Sequence, residues 1–413
     1  MVPMTSAQDS TFDILVAGAG YVGLTVAVSI RQAWPEASIM VVDAAPPGAW
    51  ERDTRASAVA AAACRMLRRL GCWEEIAPEA QPINEMIITD SRTSDPVRPV
   101  FLTFEGEVGP GEPFAHMVMN RVLTGSLRRR AGELGIDIRE GVAVDSFDTA
   151  NGHVTVHLSG GEALKARLLV ACDGVRSRLR DMAGIRTVRW DYGQSGIVCT
   201  VAHERPHNGR AEEHFLPSGP FAILPLKGNR SSIVWTERTP DAERLVAEND
   251  LVFEQELESR FGLKLGEIRA EGPRRAWPLG LTLARDFVKP RFALAGDAAH
   301  GIHPIAGQGL NLGFKDAAAL AQVVVEAARL GEDIGALDVL QRYERWRRFD
   351  TVQMGFTTDI LNRMFSNDFT PLRALRDFGL GLVDRMPPLK DFFIRQASGL
   401  TGPTPRLLRG EAI

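Results

Sequence analysis

The stretch that decides the fold is Gly18-Ala19-Gly20-Tyr21-Val22-Gly23, a glycine-rich turn close to the start of the chain. The apolar residues 12–17 precede it and are typical of a buried parallel strand. A helical pattern follows from Gly23 through Ala33, and residues 38–43 predict a second strand. A strand, a tight turn, a helix and a strand in this order predict the first unit of a Rossmann-type α/β domain.

Each glycine of this turn has a predicted role in binding a dinucleotide. Gly18 permits the tight turn, Gly20 lets the backbone approach a pyrophosphate, and Gly23 allows the helix to pack closely on the strand. The positive end of the following helix points at the phosphates. Asp43 lies 20 residues after Gly23, where an acid can bind ribose hydroxyls. The pattern predicts a dinucleotide site over a plain glycine-rich turn, but it does not separate FAD from NAD.

A second stretch favours FAD. Residues 291–300 (RFALAGDAAH) form an apolar strand that ends in Gly296 and Asp297, a place where a flavin's ribityl hydroxyls need an acceptor. Residues 304–311 continue as a turn of small residues that opens a helix, whose backbone N–H groups can stabilise negative charge on a reduced flavin ring. The candidate cofactor residues in this turn are Pro304, Gly307, Gln308, Gly309, Leu310 and Asn311. Gln308 and Asn311 have an alternative role as ordinary helix caps.

A third stretch, residues 168–180 (LLVACDGVRSRLR), predicts a buried strand, an Asp173-Gly174 turn and a basic helix start. An Asp-Gly pair alone is a common turn. The three arginines that follow it, at the same strand-end level as the other two motifs, suggest contact with phosphate or with an incoming nicotinamide nucleotide.

The length of the chain predicts two domains, because 413 residues are more than one hydrophobic core usually serves. The patterns along the rest of the sequence indicate that these domains are interleaved. Helical patterns cover residues 53–70, 120–134, 309–330 and 337–398. Strand patterns cover residues 82–114, 136–147, 154–158, 163–171 and most of 188–278. We therefore predict an FAD-binding domain from residues 1–80, 119–187 and 281–345, a mostly β substrate domain from residues 81–118 and 188–280, and a helical C-terminal region, residues 346–413.

Composition narrows the class of protein. The formal net charge of −4 gives no global basic field that would attract nucleic acid. The four cysteines are scattered along the chain, which predicts reduced thiols in a cytoplasmic protein. The eight histidines show no spacing typical of a metal site. The first 11 residues lack the pattern of a secretory signal, and no apolar run is long enough to span a bilayer.

The three motifs, in this order and at these separations, resemble single-component flavoprotein monooxygenases of the para-hydroxybenzoate hydroxylase fold. Residues 303–316 (HPIAGQGLNLGFKD) are more specific and resemble the signature of the UbiH/UbiF/VisC group, which hydroxylates the aromatic ring in ubiquinone biosynthesis. Further matching stretches are residues 53–58 (DTRASA), 120–123 (NRVL), 343–348 (YERWRR) and 361–366 (LNRMFS). The resemblance runs from residue 13 to about residue 398.

This resemblance implies a set of site residues and a reaction. Arg55 and Arg121 would lie near the flavin and its pyrophosphate, although the residues alone favour a solvated helix charge for Arg55. Asp297 would bind the ribityl chain, and residues 304–311 would lie against the isoalloxazine ring. NAD(P)H would bind transiently and reduce FAD, and O2 would then form a flavin hydroperoxide that hydroxylates a polyprenylated phenol.

No general base can be named from the sequence. Tyr192 begins a predicted strand that could face the active site, and His300 and His303 flank the flavin turn, but a packing or structural role is the alternative for each. Residues 354–394 mix apolar residues with arginines, so a helix that faces the inner membrane or a partner protein of quinone biosynthesis competes with one packed on the FAD domain.

Three other functions stay open at this point. A flavin hydroxylase of a soluble phenol shares all three motifs. A non-catalytic flavoprotein partner of a quinone-synthesis complex would share the fold without the reaction. An NAD-dependent dehydrogenase would require Gly296 and Asp297 to be irrelevant to the cofactor.

Overall fold

The structure, a computed structural model, describes residues 11–90, 100–105, 107–302, 308–365, 398–399 and 402–413, with the backbone alone for residues 353–365. Its strands in chain order are β1 (Thr11–Ala17), β2 (Ile39–Asp43), β3 (Ala56–Ala60), β4 (Gln81–Ile83), β5 (Glu85–Asp90), β6 (Val100–Glu105), β7 (Glu107–Gly109), β8 (Glu112–Pro113), β9 (Ala115–Met119), β10 (Asp137–Glu140), β11 (Val144–Thr149), β12 (Val154–Leu158), β13 (Ala163–Ala171), β14 (Thr187–His203), β15 (Arg210–Leu216), β16 (Gly219–Leu226), β17 (Arg230–Arg238), β18 (Ile268–Ala284), β19 (Val288–Lys289), β20 (Phe292–Leu294) and β21 (His300–Gly301). Its α-helices are α1 (Tyr21–Ala33), α2 (Ala61–Arg69), α3 (Trp73–Ile76), α4 (Asn120–Glu133), α5 (Arg178–Met182), α6 (Thr239–Ala247), α7 (Asp250–Phe261), α8 (Gln308–Arg329) and α9 (Leu337–Phe365).

The first sheet carries the predicted Rossmann unit. Its strand order is β10-β2-β1-β13-β12-β11, and β20 joins the carboxyl-terminal part of β13. The central strand β1 runs parallel to β2 and to β13, with Ile14 opposite both Ile39 and Leu168. Ile14 is fully buried, as expected for a parallel strand covered on both faces. The carboxyl ends of β1, β2, β13 and β20 therefore meet at one edge of the sheet.

The second large sheet has the order β21-β18-β14-β17-β16-β15-β5-β6 and is antiparallel except between β15 and β5. One of its faces packs on α6 and α7, where Trp235 and Phe253 are fully buried. The other face packs on a three-stranded sheet of order β3-β9-β4, through a cluster that includes Ala58, Met117 and Ala222. We call this second surface of the large sheet the inner face, because it faces strands β3 and β9 of the three-stranded sheet.

The prediction of one helix over residues 53–70 is wrong in its first half. Residues Ala56–Ala60 form β3, which pairs antiparallel with β9, and a helix begins at Ala61. Alanine favours a helix in isolation, but tertiary pairing overrides that preference here. Small side chains suit this strand, because it lies between β9 and the start of α8.

Helices α6 and α7 lie within residues 188–278, where the sequence analysis predicted mostly strands and did not identify them. Helix α6 has a proline in its first turn, and the Asn249 side chain accepts a hydrogen bond from the backbone N–H of Val252 at the start of α7. Both are ordinary helix-start signals that the sequence contained. The single strand predicted for residues 136–147 is in fact two, β10 and β11, separated by Gly141 at φ +72°.

Helices α8 and α9 match the predicted helices at residues 309–330 and in the first part of 337–398. Helix α8 packs against α1 and α9, with Phe314 and Leu320 fully buried. The helical pattern around residues 369–382 lies outside the described residues.

Candidate active site

A cavity of about 800 Å³ opens between the edge of the first sheet and the inner face of the second. Four predicted cofactor residues line it, namely Gly20, Asp43, Arg55 and Arg121. The opposite wall includes Met117, Met119, Val198, Leu226 and Trp277. The structure thus brings the glycine turn and the large sheet to one shared space.

The three glycines of the turn are needed for different reasons. Gly18 has φ +115°, and a Cβ atom there would lie 2.3 Å from the carbonyl oxygen of Cys172. A Cβ atom on Gly23 would lie 1.9 Å from the carbonyl oxygen of Gly18. Gly20 by contrast has no atom within 4 Å of such a Cβ, and it caps α1 without a side-chain hydrogen bond. Open space beside uncapped N–H groups at a helix start fits a pyrophosphate.

Asp43 holds the turn in place at the end of β2. Its carboxylate oxygens accept hydrogen bonds from the backbone N–H of Ala19 at 2.6 Å and of Ala45 at 2.7 Å. The residue also lines the cavity, so the acid predicted for ribose lies beside the phosphate turn.

Arg55 faces the cavity from the segment before β3 and not from the predicted helix, and its side chain is half exposed. Its guanidinium pairs with both carboxylate oxygens of Asp53, at 2.9 Å and 2.7 Å, and lies 5.8 Å from the ring centroid of Trp277. Burial opposes ionisation of Asp53, but the hydrogen bonds and charge of Arg55 lower the pKa of that carboxyl. Asn120 donates a further hydrogen bond to Asp53 at 3.2 Å, and Arg121 follows it at the start of α4.

Gly296 and Asp297 form a short 3-10 turn directly after β20. Gly296 has φ +65° and approaches Val22 of α1, where a Cβ would lie 3.1 Å from the valine side chain. Asp297 is exposed and is not among the described residues that line the cavity, yet the surrounding protein displaces bulk water from its carboxyl and raises its pKa. The charges of His300 and Arg55 oppose that rise in pKa, so Arg55 is close enough to stabilise the ionised form of Asp297.

A buried ionic network lies beneath this turn, and the sequence did not predict it. Asp316, fully buried, accepts hydrogen bonds from the backbone N–H of Gly296 at 2.9 Å, from His300 Nε2 at 2.5 Å and from Arg347 Nε at 2.9 Å. Burial alone would raise the pKa of Asp316, but the charges and hydrogen bonds of His300 and Arg347 lower it. Tyr343 adds a hydrogen bond from its hydroxyl to the carbonyl of Leu294 at 2.8 Å.

The sequence did contain a signal for this network. Asp316 and Arg347 belong to two of the stretches that carry the family resemblance, but sequence alone could not show that they touch. His300 takes the structural role that was its alternative, since its Nε2 is bonded to Asp316.

The turn that was predicted to contact the flavin ring, residues 304–311, lies only partly within the described residues. His303, Pro304 and Gly307 lie outside the described residues, and Gln308 is described by its backbone alone. Gly309, Leu310 and Asn311 begin α8. The Asn311 side chain is not an ordinary cap, because it joins α8 to β3: Nδ2 donates to the carbonyl of Ala58 at 2.8 Å, and Oδ1 accepts from the N–H of Ala60 at 2.9 Å.

The third motif requires a correction. Arg180 is fully buried and donates hydrogen bonds to the carbonyls of Ala298 at 2.9 Å and Val175 at 3.2 Å, so it cannot meet an incoming nucleotide. Arg176 and Arg178 are exposed. Asp173 accepts a hydrogen bond from the N–H of Leu179 at 3.2 Å and thereby fixes the start of α5.

Tyr192 lies inside β14, beside an irregularity in its pairing with β18 between Asp191 and Gln194. It is half-buried and is not among the described residues that line the cavity.

A family model described as FAD binding domain matches residues 11–350. The chain belongs to this FAD-binding family. Ubiquinone hydroxylase UbiL of Rhodospirillum rubrum is 44% identical over 99% of this chain and 95% of that protein. The 3-demethoxyubiquinol 3-hydroxylase of Escherichia coli is 32% identical over 94% of this chain and 98% of that protein. Membership of the UbiH/UbiF/VisC group, predicted from residues 303–316, is confirmed.

A solved structure shares the fold of this flavoprotein. The p-nitrophenol 4-monooxygenase PnpA of Pseudomonas putida superposes with a TM-score of 0.78 at 19% identity, covering 95% of this chain and 99% of that one. The predicted α/β fold with a Rossmann-type FAD-binding domain is therefore confirmed. FAD as the cofactor and the class of FAD-dependent aromatic-ring monooxygenase follow from the family match together with these relatives. Within the described part of the chain, every helix is too short or too polar to cross a bilayer.

Proposed function

We propose that this flavoprotein hydroxylates the aromatic ring of a polyprenylated phenol in ubiquinone biosynthesis, with NAD(P)H and O2 as co-substrates. The observation that carries the proposal is the shared cavity, which runs from the phosphate turn at Gly20 to the apolar residues Leu226 on the inner face and Met117 on the facing strand β9. A substrate ring that rests on this face would lie next to a flavin anchored at the turn. The names of the relatives support the choice of substrate class.

The charge of each residue that would hold FAD indicates which part of the cofactor it would bind. The N–H groups at the start of α1, with Arg55 and Arg121, suit the pyrophosphate. Asp43 suits the adenosine ribose and Asp297 the ribityl hydroxyls, because ionised carboxylates accept hydrogen bonds from hydroxyls. Bound FAD would supply electron transfer from NAD(P)H and activation of O2.

The chain itself would supply position and a dry environment. The start of α8 presents backbone N–H groups whose partial positive charge would stabilise negative charge on a ring placed against residues 304–311. Asn311 fixes that helix start against β3. The inner face would keep water from the reacting ring through its apolar side chains.

The same proposal includes the place where the protein works. A polyprenyl tail partitions into the bilayer, so we place the protein in the cytoplasm at the surface of the inner membrane, with other quinone-biosynthesis proteins as candidate partners. Association is then peripheral, in keeping with the lack of a spanning helix among the described residues.

The test uses purified, FAD-loaded protein with NADH or NADPH and a prenylated phenol in detergent or vesicles. We expect NAD(P)H oxidation and a product heavier by one oxygen atom, identified by mass spectrometry. In parallel, a deletion strain should accumulate a prenylphenol that lacks one hydroxyl. Turnover of a soluble phenol with no action on the prenylated one would contradict the proposal, as would bound FAD with no hydroxylated product from either.

A further inference from the structure

One wall of the cavity carries polar side chains that are not assigned to FAD. This wall is the inner face of the large sheet, across the cavity from the glycine turn, Arg55 and Arg121. Thr200 of β14, Ser232 of β17 and Arg275 of β18 line the cavity from this side. Because the proposed contacts to FAD come from the facing domain, these three side chains are available to a second ligand.

Strand register brings the three side chains together. Thr200 lies directly opposite Ser232. Arg275 lies opposite Val198, which is two residues before Thr200 and therefore on the same face. Diagonal neighbours on one face of a sheet are about 7–8 Å apart, which a long arginine side chain can span. Thr200, Ser232 and Arg275 thus form one polar group on the cavity wall, which we call the wall cluster.

The wall cluster has no partner within the described part of the chain. Arg275 is exposed to the cavity with no acid at ion-pair distance, and the two hydroxyls form no side-chain hydrogen bond there. The preceding residue shows the contrast, because Arg274 lies over the ring of Phe253 on the other face and pairs with Asp250 at 3.0 Å. An unpaired guanidinium in a cavity is suited to an anion, above all to phosphate, which it can bind through two parallel hydrogen bonds.

The charge of the cavity indicates which ligand fits the wall cluster. Arg52, on the facing wall, is a second exposed arginine that lines the cavity without an acid at ion-pair distance among the described residues. An uncharged prenylphenol would leave both arginines unused. A nicotinamide dinucleotide has a doubly charged diphosphate and ribose hydroxyls, and these match the guanidinium of Arg275 and the hydroxyls beside it.

The wall cluster also lies beside the proposed position of the flavin. Trp277 follows Arg275 by two residues, a separation of about 7 Å along the strand. Its ring lines the cavity and lies 5.8 Å from the guanidinium of Arg55. The third motif, from which contact with an incoming nucleotide was expected, has its arginine Arg180 fully buried. The wall cluster is accessible from the cavity instead.

We propose that the wall cluster binds the nicotinamide nucleotide that reduces the flavin. Arg275 binds the diphosphate, and the hydroxyls of Thr200 and Ser232 bind the adjoining ribose. The nucleotide transfers a hydride to the flavin and leaves as NAD(P)+. The inference rests on the proposed function and gives its reductant a site on the substrate domain.

The test measures nucleotide binding to FAD-loaded Arg275→Gln. The dissociation constant for NADH or NADPH is obtained without O2, from the dependence of the rate of flavin reduction on nucleotide concentration. We expect it to rise at least about tenfold, because a charged hydrogen-bond donor to phosphate is lost. Calorimetric titration with ADP-ribose, which keeps the diphosphate and lacks nicotinamide, should show the same loss without any reaction. The affinities for FAD and for the prenylphenol should stay within about twofold of the wild type.

Three further variants give the effect its cause. Arg269→Gln removes an exposed arginine of the same strand that is not among the described residues lining the cavity, and it should bind both nucleotides normally. Arg275→Lys keeps the charge but not the paired hydrogen bonds, so it should lie between the wild type and Arg275→Gln. Thr200→Val should weaken nucleotide binding about threefold through one lost hydrogen bond. Added salt should weaken nucleotide binding by the wild type more than by Arg275→Gln, because salt screens the exposed charge.

Each outcome bears on the inference. Equal dissociation constants for NAD(P)H in the wild type and Arg275→Gln overturn it, and so does a variant that weakens the prenylphenol instead of the nucleotide. If Arg275→Gln and Arg275→Lys both fail to fold or retain FAD, the arginine is structural, which also overturns it. In these cases wild-type hydroxylation leaves the proposed function intact.

The proposed function can also fail by itself. A wild type that NAD(P)H reduces through Arg275, but that yields no hydroxylated phenol, overturns the proposed function and leaves the nucleotide site. A wild type that neither NADH nor NADPH reduces overturns both.

Discussion

At the scale of single residues, two positions of one turn suit glycine for opposite reasons of space. Gly23 is required because the carbonyl of Gly18 lies where its Cβ would be, 1.9 Å away. Gly20 borders open space, so its lack of a side chain matters to a ligand and not to the fold. One substitution at each position separates cofactor binding from folding.

We expect Gly20→Ala to fold with a melting temperature close to that of the wild type when both lack FAD, because its φ of −74° suits alanine. Its affinity for FAD should fall at least about tenfold, since the methyl group occupies the space predicted for the pyrophosphate. Gly23→Ala should lose about 3 kcal/mol of stability or more, because the added atom overlaps backbone. Thermal unfolding and FAD titration measure both effects; a stable Gly23→Ala with normal FAD affinity would contradict this assignment.

Replacement of Arg347 should lower the free energy of unfolding by a predictable amount. It is fully buried and pairs with Asp316, which in turn holds the N–H of Gly296. Arg347→Met leaves a buried carboxylate with too few partners, so we expect a loss of about 3–5 kcal/mol in the free energy of unfolding and weaker retention of FAD. Arg345→Met, an exposed arginine on the same helix, is the control and should unfold like the wild type. Equal denaturation midpoints for both variants would refute the importance of the network.

At the scale of elements, the sequence predicted those whose patterns are local. Strand β1, helix α1 and the paired strands β12 and β13 lie where the apolar runs and the glycine turn placed them. Strand β3 was assigned to a helix, because alanine-rich residues favour a helix until β9 and Asn311 supply other partners. The link between Asp316 and Arg347 could not be predicted, since no local pattern records which helix faces which turn.

The link between β3 and α8 can be tested through Asn311. Replacing Asn311 with alanine leaves the carbonyl of Ala58 and the N–H of Ala60 buried without this partner. We expect a loss of about 2–4 kcal/mol in stability and a higher dissociation constant for FAD. Gln322→Ala, further along α8, removes a different buried amide, which accepts a hydrogen bond from the N–H of Arg406, and so serves as the control for loss of an α8 side-chain contact that does not involve β3. Hydrogen exchange at β3 should accelerate in Asn311→Ala alone; unchanged exchange there would show that the strand does not depend on this amide.

At the scale of the whole molecule, stability should depend on pH through Glu213 of β15, because burial raises the pKa of its carboxyl. The folded state holds its proton up to a pKa of about 8, whereas the unfolded carboxyl has a value near 4.5. Between these two values the folded state binds more protons, so stability falls as pH rises and levels off above pH 8.

The wild type should lose up to about 1.4 kcal/mol per pH unit between pH 5 and 8 relative to Glu213→Gln. Glu212→Gln gives a contrast, because interactions with His214 and Lys264 lower the pKa of Glu212 to about 2 despite its burial. That variant should be destabilised by a constant amount over the same range, since Glu212 is ionised throughout it in both states. Denaturation midpoints at four pH values measure the slopes, and parallel curves for Glu213→Gln and the wild type would contradict the prediction.

The order of strands in the first sheet also sets how the chain can fold as it is made. Strand β13 joins β1, where Ile14 pairs with Leu168, to β20, where Leu169 pairs with Phe292. Protein synthesis at about 10 residues per second therefore leaves the β20 edge of β13 uncovered for on the order of ten seconds. During that interval an apolar parallel edge is exposed to other nascent chains. We expect correct folding of the nascent chain to depend on chaperones that cover this edge until residue 294 has left the ribosome.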